Sequence, residues 1–438
     1  MARVTATVPP TLRYWQLTDE IPLNLPVLNE WLEDHAQDRP LRGVTALFIQ
    51  HQLGNHVPQA KALIELGLDP AQLFWIDIPY TATPSVRSAL ISLNIPEPNL
   101  LCKQFHLLDK YASFQRLRVE EFLQRLFKDP PELLLVLDDG SYTLEALACL
   151  RDPPMPIVIV EQTTRGVIKI EESAALAACA HRYPIINVAK STPKMTLEPP
   201  FIGYAVCDAL SRRLGPVFHV GAADHCLILG YGAIGAQVAK FANETLGFPR
   251  GRVHVFDTKR KRVAQARADG FTAWSKNNRK VLFRLVIGCS GRASFLVGDH
   301  ALLEDGAFLA SATSGTVELS REDFIELAEA SPYDDIEIEK RGLDEFAVHS
   351  DLRFRFIDRE AVFLNGGFPV NFEGRVNCVP GHYIQPTPTM MCHAALQAVK
   401  CTGKYLIELD RDFGDWLDAA FRKELGDEAS WLPPPPTP

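Results

Sequence analysis

At 438 residues, with 47% hydrophobic and 23% charged positions, the chain is long enough for two or three globular cores and ordinary in composition. Its formal net charge of −9 disfavours nucleic acid as the main partner, because neutralising phosphates takes a dense basic face and none is evident. No apolar run approaches a membrane span and residues 1–6 lack the charged-then-apolar pattern of a secretory signal, so a cytoplasmic protein with no membrane partner is expected.

Past Pro9-Pro10, an amphipathic helical stretch covers Leu23–Leu32, and Val44–Ile49 reads as a short apolar strand running into His51. A helix near Pro58–Leu66 follows, then strands at Leu73–Ile76, Leu133–Leu137 and Ile157–Val160. The last two end in Asp138-Asp139-Gly140 and Glu161-Gln162-Thr163-Thr164. Strands alternating with helices predict a parallel sheet covered on both faces, and ligands of such sheets sit beyond the carboxyl ends of the strands. That places His51, Asp139 and Glu161–Thr164 where chemistry is expected. A helix between Gly203 and Val220 leads into Cys226–Leu229, a strand that opens into Gly230-Tyr231-Gly232-Ala233-Ile234-Gly235.

This turn has the spacing of a dinucleotide cradle. Gly230 suits the sharp turn, Gly232 allows a pyrophosphate close to the backbone, and Gly235 allows the following helix to approach the sheet. With Ala233 and Ile234 at the helix start, free N–H groups and a positive dipole end face the anion. The next strand, Arg252–Phe256, ends in Asp257, whose carboxylate suits ribose hydroxyls and favours NAD over NADP. The run Lys259–Arg262 blurs that preference and reads more simply as a solvated helix face. Strands Leu285–Ile287 and Ala307–Leu309 are each followed by small residues, including Ser290-Gly291 and Ser314. A β-like pair is expected from Phe354, then a helix over Ala394–Leu406 that returns to the first unit. The prolines of 433–438 predict a frayed tail. Nine scattered cysteines without a CxxC pair read as reduced thiols, with no metal cage expected.

The order of these motifs resembles the S-adenosyl-L-homocysteine hydrolase family. It is carried by His51 ahead of a helix ending Leu66-Gly67, Leu137-Asp138-Asp139-Gly140, Glu161-Gln162-Thr163-Thr164-Arg165-Gly166-Val167, Pro184-Ile185-Ile186-Asn187-Val188, Lys194, the Gly230 turn, Val370-Asn371 and Gly381-His382. The resemblance implies an α/β chain of two doubly wound parallel-sheet domains. Residues 1–205 and 356–432 would form a discontinuous substrate domain, 206–355 a Rossmann NAD-binding domain, and 433–438 the tail. It further implies a bound NAD, a nucleoside-type substrate oxidised transiently at a ribose hydroxyl, and elimination, hydration or epimerisation beside the resulting ketone, as in the hydrolases and lyases of one-carbon metabolism. By the same resemblance Lys194 would be the base, with Glu198 beside it, and His51 and Asp139 would move protons. Thr163, Thr164, Ser290, Gly291 and Asn371 would line the cofactor, and Gln162, Ser314 and His382 the substrate.

Several positions depart from the family's pattern. Gln162 replaces an acid that binds the substrate ribose, Ala189 and Pro199 replace asparagines, and Ser314 replaces a histidine. A C-terminal Lys…Tyr arm is missing, so a homo-oligomer is expected as either dimer or tetramer. Read without the resemblance, Lys194 is more simply a surface lysine in a loop between Pro193 and Pro199 and His51 a structural histidine, whereas Asp138-Asp139 holds one acid more than a cap for a helix near Thr143 needs. Two other functions fit the sequence: a catalytically silent NAD-binding homologue, or a plain NAD-dependent dehydrogenase.

Overall fold

The computed structural model describes residues 12–13, 15–215, 217–278, 280–330 and 336–435. Residues 1–6, Pro9-Pro10 and the last three of the proline tail lie outside the described residues, while 433–435 carry no regular structure.

Two sheets organise the chain. The first takes strands β1 (Thr45–Gln50), β2 (Leu73–Asp77), β3 (Leu100–Leu101), β4 (Leu134–Asp138), β5 (Ile157–Glu161) and β6 (Pro184–Asn187). The second takes β7 (Cys226–Leu229), β8 (Val253–Phe256), β9 (Thr272–Ala273), β10 (Phe283–Gly288), β11 (Leu303–Ser311), β12 (Ile336–Ile338), β13 (Leu352–Phe356) and β14 (Glu360–Phe363). A late strand, β15 (Tyr405–Glu408), returns to the first sheet and pairs in parallel with β6.

The strand orders are β15-β6-β5-β4-β1-β2-β3 and β12-β13-β14-β11-β10-β7-β8-β9. The first sheet is parallel throughout, and in the second only the β12-β13-β14 edge is antiparallel. Strands β1, β4, β5 and β7 are buried at every residue, as apolar runs covered by helices on both faces must be. The fold is thus α/β with two parallel-dominated sheets, as expected.

Both sheets wind outward from one point in two directions. The order reverses between β1 and β4 in the first and between β7 and β10 in the second. At such a reversal the loops leave in opposite directions and open a crevice. The strand ends that flank these points are Gln50-His51 and Asp138-Asp139 in the first sheet, and Gly230 and residues 288–291 in the second.

The elements differ from expectation at a few places. The helix expected over Leu23–Leu32 starts at Pro26 and runs to His35. The boundary drawn at 355/356 falls within β13, yet β14 pairs with β11 in the second sheet, which therefore extends to Phe363. The helix expected over Ala394–Leu406 spans Pro386–Lys400, and Tyr405 and Leu406 belong to β15 instead. It packs on β4, β5 and β6, as its apolar face requires.

The two units are held face to face by side chains of both. Arg321, fully buried, donates from Nη1 to the Leu107 carbonyl at 2.5 Å and from Nη2 to that of Asp109 at 2.6 Å. Its guanidinium also lies near the rings of Phe105 and Phe368, at 5.7 and 5.4 Å.

Candidate functional site

In the first crevice the sequence-predicted residues converge. Asp138 is the cap foreseen near Thr143: its two oxygens accept the N–H groups of Tyr142 and Thr143 at 3.2 and 2.8 Å. That leaves Asp139 for other work. Its Oδ2 faces Nε2 of His51 at 3.4 Å and accepts from Nε2 of Gln162 at 3.3 Å, while Oδ1 is buried with no hydrogen-bond partner among the described residues.

The orientation of Gln162 is fixed from behind. Its Oε1 accepts from Nε2 of Gln50 at 2.8 Å, and Oε1 of Gln50 accepts from Nε2 of Gln59 at 3.2 Å. The chain of amides therefore points a donor at the carboxyl of Asp139.

The proton inventory follows from the same bonds. The Thr81 hydroxyl donates to the Ile78 carbonyl at 3.0 Å, so it must accept from Nδ1 of His51, 3.1 Å away. Nε2 of a neutral His51 then carries a lone pair toward Asp139, so a proton on the Asp139 carboxyl is what would bridge the two. Burial drives the Asp139 carboxyl up to about 7, with Asp138 and Glu198 adding to the rise and Lys194 opposing it. Burial, then the nearby His56 and Lys194, hold His51 well below its ordinary value. Below about pH 7 the proton therefore sits on Asp139 rather than on His51.

Lys194 is in a helix, Thr192–Leu197, not in a proline-flanked loop. Its ammonium pairs with Glu198 one turn on, and both side chains are about 15% exposed, at 14% and 15%. Pro193 and Pro199 sit in the first turns of two successive helices, where a missing N–H costs nothing. Thr387 donates to Glu198 at 3.2 Å and holds it there.

His56 was not foreseen. It opens the helix His56–Glu65, is 2% exposed, and neither ring nitrogen has a hydrogen-bond partner among the described residues. Burial, with the charge of Lys194 behind it, takes it down to about 3. No motif surrounds it in the sequence, so only its position at the carboxyl end of β1 could have marked it.

In the second crevice Gly230 has a φ of +99°, and a Cβ on Gly235 would lie 1.9 Å from the Gly230 carbonyl oxygen. Ala233 and Ile234 begin the helix Ala233–Glu244. Asp257 accepts from the N–H groups of Tyr231 at 2.8 Å and Lys259 at 2.7 Å, and pairs with Arg262 at 3.3 Å. Ser290 and Gly291 are tied down by a residue the sequence did not flag, Glu318. Its buried carboxylate accepts both their N–H groups at 2.8 to 3.0 Å, and the hydroxyls of Ser290 at 2.7 Å, Thr313 at 2.8 Å and Ser294.

The crevices meet along a seam. Glu161 cradles the corresponding turn of the first unit, accepting from Gly140, Ser141 and Thr163. The hydroxyl of Thr163 also caps the helix Thr164–Glu172, taking the Gly166 N–H at 3.0 Å, and Thr164 itself is exposed. That helix reaches the second unit, where Arg165 donates to the Gly291 carbonyl at 3.2 Å. Asn371 is 5% exposed in the segment that leaves the second sheet, and its neighbour Phe372 stacks on His51 at 4.6 Å. The loop holding Ser314 reaches the same place, with the Gly315 N–H on the Tyr80 hydroxyl at 3.2 Å and the Tyr80 ring 5.5 Å from His51. His382 pairs instead with Glu424 and Glu428 of the C-terminal segment, at 3.6 and 4.0 Å, and the His51–Asp139–Lys194 group is built without it. Among the described residues no His/Cys/Asp/Glu group could hold a metal, no helix is long and apolar enough to cross a membrane, and all nine cysteines are free.

No protein-family model matches the chain. It is 29% identical over 348 residues to an uncharacterized protein of Mycobacterium tuberculosis, covering 78% of this chain and 62% of that protein, so the match spans less than two thirds of that relative. It is 22% identical over 314 residues to the S-inosyl-L-homocysteine hydrolase of Methanococcus maripaludis, covering 70% and 69%, and 26% identical over 223 residues to the adenosylhomocysteinase of Thermococcus kodakarensis, covering 48% and 50%. Among solved structures, the L-tryptophan dehydrogenase of Nostoc punctiforme is similar at 11% identity over 65% of this chain and 73% of that one, with a TM-score of 0.27. The chain is thus a distant sequence relative of S-inosyl-L-homocysteine hydrolase and adenosylhomocysteinase.

Proposed function

We propose that the chain is a divergent member of the adenosylhomocysteinase family that holds a nicotinamide dinucleotide at the Gly230 turn and acts on a nucleoside-type substrate at the first crevice. The observation that carries this reading is the convergence of His51, Asp139, Gln162, Lys194 and Glu198 at the reversal point of the first sheet. The Gly230 turn fits the dinucleotide, since the three atoms nearest a Cβ on Gly232 all belong to the movable guanidinium of Arg262. Residues 1–205 and 364–432 would carry the substrate and 206–363 most of the cofactor.

A bound nicotinamide would supply a reversible hydride acceptor for a ribose carbon. Lys194, after passing its extra proton to Glu198, would take the proton of the hydroxyl on that carbon. Asp139 and His51 would share one proton and pass it to or from the adjacent carbon or its leaving group. Gln162 would bind a sugar hydroxyl through its remaining donor, a neutral contact where an acid would make a charged one. Relatives named for an inosyl and an adenosyl substrate make both nucleosides the first to try.

The test adds adenosine, inosine and their 5′-thioethers to purified protein and follows the near-ultraviolet band of reduced nicotinamide. The reading expects a transient band with at least one of them and its loss in Lys194→Ala. An unchanged spectrum across the whole panel, with nucleoside bound, supports a silent nucleoside-binding homologue instead. That second reading draws on Phe372 and Tyr80, which close over His51. Steady accumulation of the band would mark a plain dehydrogenase.

A further inference from the structure

In sequence, Asp257 speaks for NAD and the basic run after it for a solvated helix face. The geometry around them says otherwise for one member of that run. The guanidinium of Arg262 turns back over the glycine turn, so that a Cβ on Gly232 would lie 3.5 Å from its Nη2 and 3.7 Å from its Cζ. It pairs with Oδ2 of Asp257, which also takes the Tyr231 N–H, while Oδ1 takes that of Lys259. With three donors on it, the carboxylate of Asp257 is only 4% exposed, whereas the side chain of Arg262 is 41% exposed.

A carboxylate recognises a ribose diol by accepting hydrogen bonds from both hydroxyls. Here the carboxylate is occupied and covered, and the group offered to a ligand at this end is a guanidinium. That group has five donors, no acceptor and a fork matched to phosphate oxygens. Lys259, Arg260 and Lys261 beside it are exposed and form no ion pair among the described residues, so an added phosphate dianion meets no opposing carboxylate except the one Arg262 already neutralises.

We propose that the ribose end of the second crevice reads a phosphorylated ribose, with Arg262 as the phosphate ligand and Asp257 as the residue that positions it, so that a 2′-phosphorylated dinucleotide binds in preference to NAD. The inference rests on the reading of the Gly230 turn as a dinucleotide crevice and names which dinucleotide it takes.

Calorimetric titration with NADP and with NAD separates the two claims. Wild type should bind NADP about tenfold or more tightly than NAD, the factor that one charge-assisted contact supplies. Arg262→Ala should lose that factor for NADP and leave NAD within about twofold, and Arg262→Lys should keep part of it. Asp257→Asn should narrow the preference by freeing Arg262, and thermal unfolding of each variant checks that it folds. Tighter binding of NAD by wild type, or an equal loss for both ligands in Arg262→Ala, overturns this inference and leaves the crevice standing. Binding of neither by folded wild type removes the crevice and the inference together.

Discussion

Replacing Asp139 by asparagine tests the protonation state on which the first crevice depends. The carboxyl is driven from an ordinary 3.8 up to about 7. Between those values the native state binds more protons than the unfolded chain, so this group's contribution to stability falls as pH rises. About three pH units at 1.36 kcal/mol each come to about 4 kcal/mol. His56 works in the opposite sense. Taken from 6.5 down to about 3, it binds fewer protons when folded, and its contribution rises by about 4 to 5 kcal/mol as pH rises through that interval. In wild type the two trends largely cancel in mildly acidic solution. An asparagine in place of Asp139 cannot ionise and can still accept from Gln162. The stability of Asp139→Asn relative to wild type should therefore grow by about 4 kcal/mol between about pH 4 and pH 7. Urea unfolding followed by tryptophan fluorescence at several pH values measures it. A difference that stays constant across the range would mean an ordinary, ionised Asp139 and would refute the shared proton.

Three further substitutions probe the scaffolding. A Cβ on Gly166 would lie 2.4 Å from the carboxylate of Glu161, so Gly166→Ala must push that group off its donors and should cost more than about 3 kcal/mol in thermal unfolding. Glu318→Gln sets an amide donor against the N–H and hydroxyl donors around it, and about 3 kcal/mol of lost stability is expected; a cost below about 1 kcal/mol would mean the cradle is slack. Arg321→Met leaves the carbonyls of Leu107 and Asp109 without their donor and should open the contact between the units. Limited proteolysis near residues 105–111 should then run faster than in wild type, and an unchanged rate would deny Arg321 that role.

Much of this architecture could be read before any coordinates. Strands such as Leu134–Asp138 and Ile157–Glu161 are unbroken apolar runs ending in polar residues, which is how a strand buried on both faces must look. What was not legible depended on single residues in three dimensions. Pro193 and Pro199 read as the flanks of a loop but are helix-opening prolines, and this hid the helix that buries Lys194 beside Glu198. Without the family resemblance, which picks Asp139, nothing in the sequence says which of Asp138 and Asp139 is the cap, and the bonds to Tyr142 and Thr143 settle that it is Asp138. Tyr405 and Leu406 continue an apolar helix in sequence, although residues 401–404 interrupt it and Tyr405 takes a φ of +69°. His56 and Glu318 belong to no spacing pattern, so burial alone reveals them. Arg262 looked like the rest of its basic run, because a sequence does not say which member of a charged helix turns inward.

The central claim, that a dinucleotide belongs at the Gly230 turn, is tested most directly by mass spectrometry of the small molecules released when the purified protein is gently denatured, backed by titration of the emptied, refolded chain. The account predicts a nicotinamide dinucleotide released in near-equal proportion to protein, or bound on titration. Folded protein that releases none and takes up neither NAD nor NADP would contradict it.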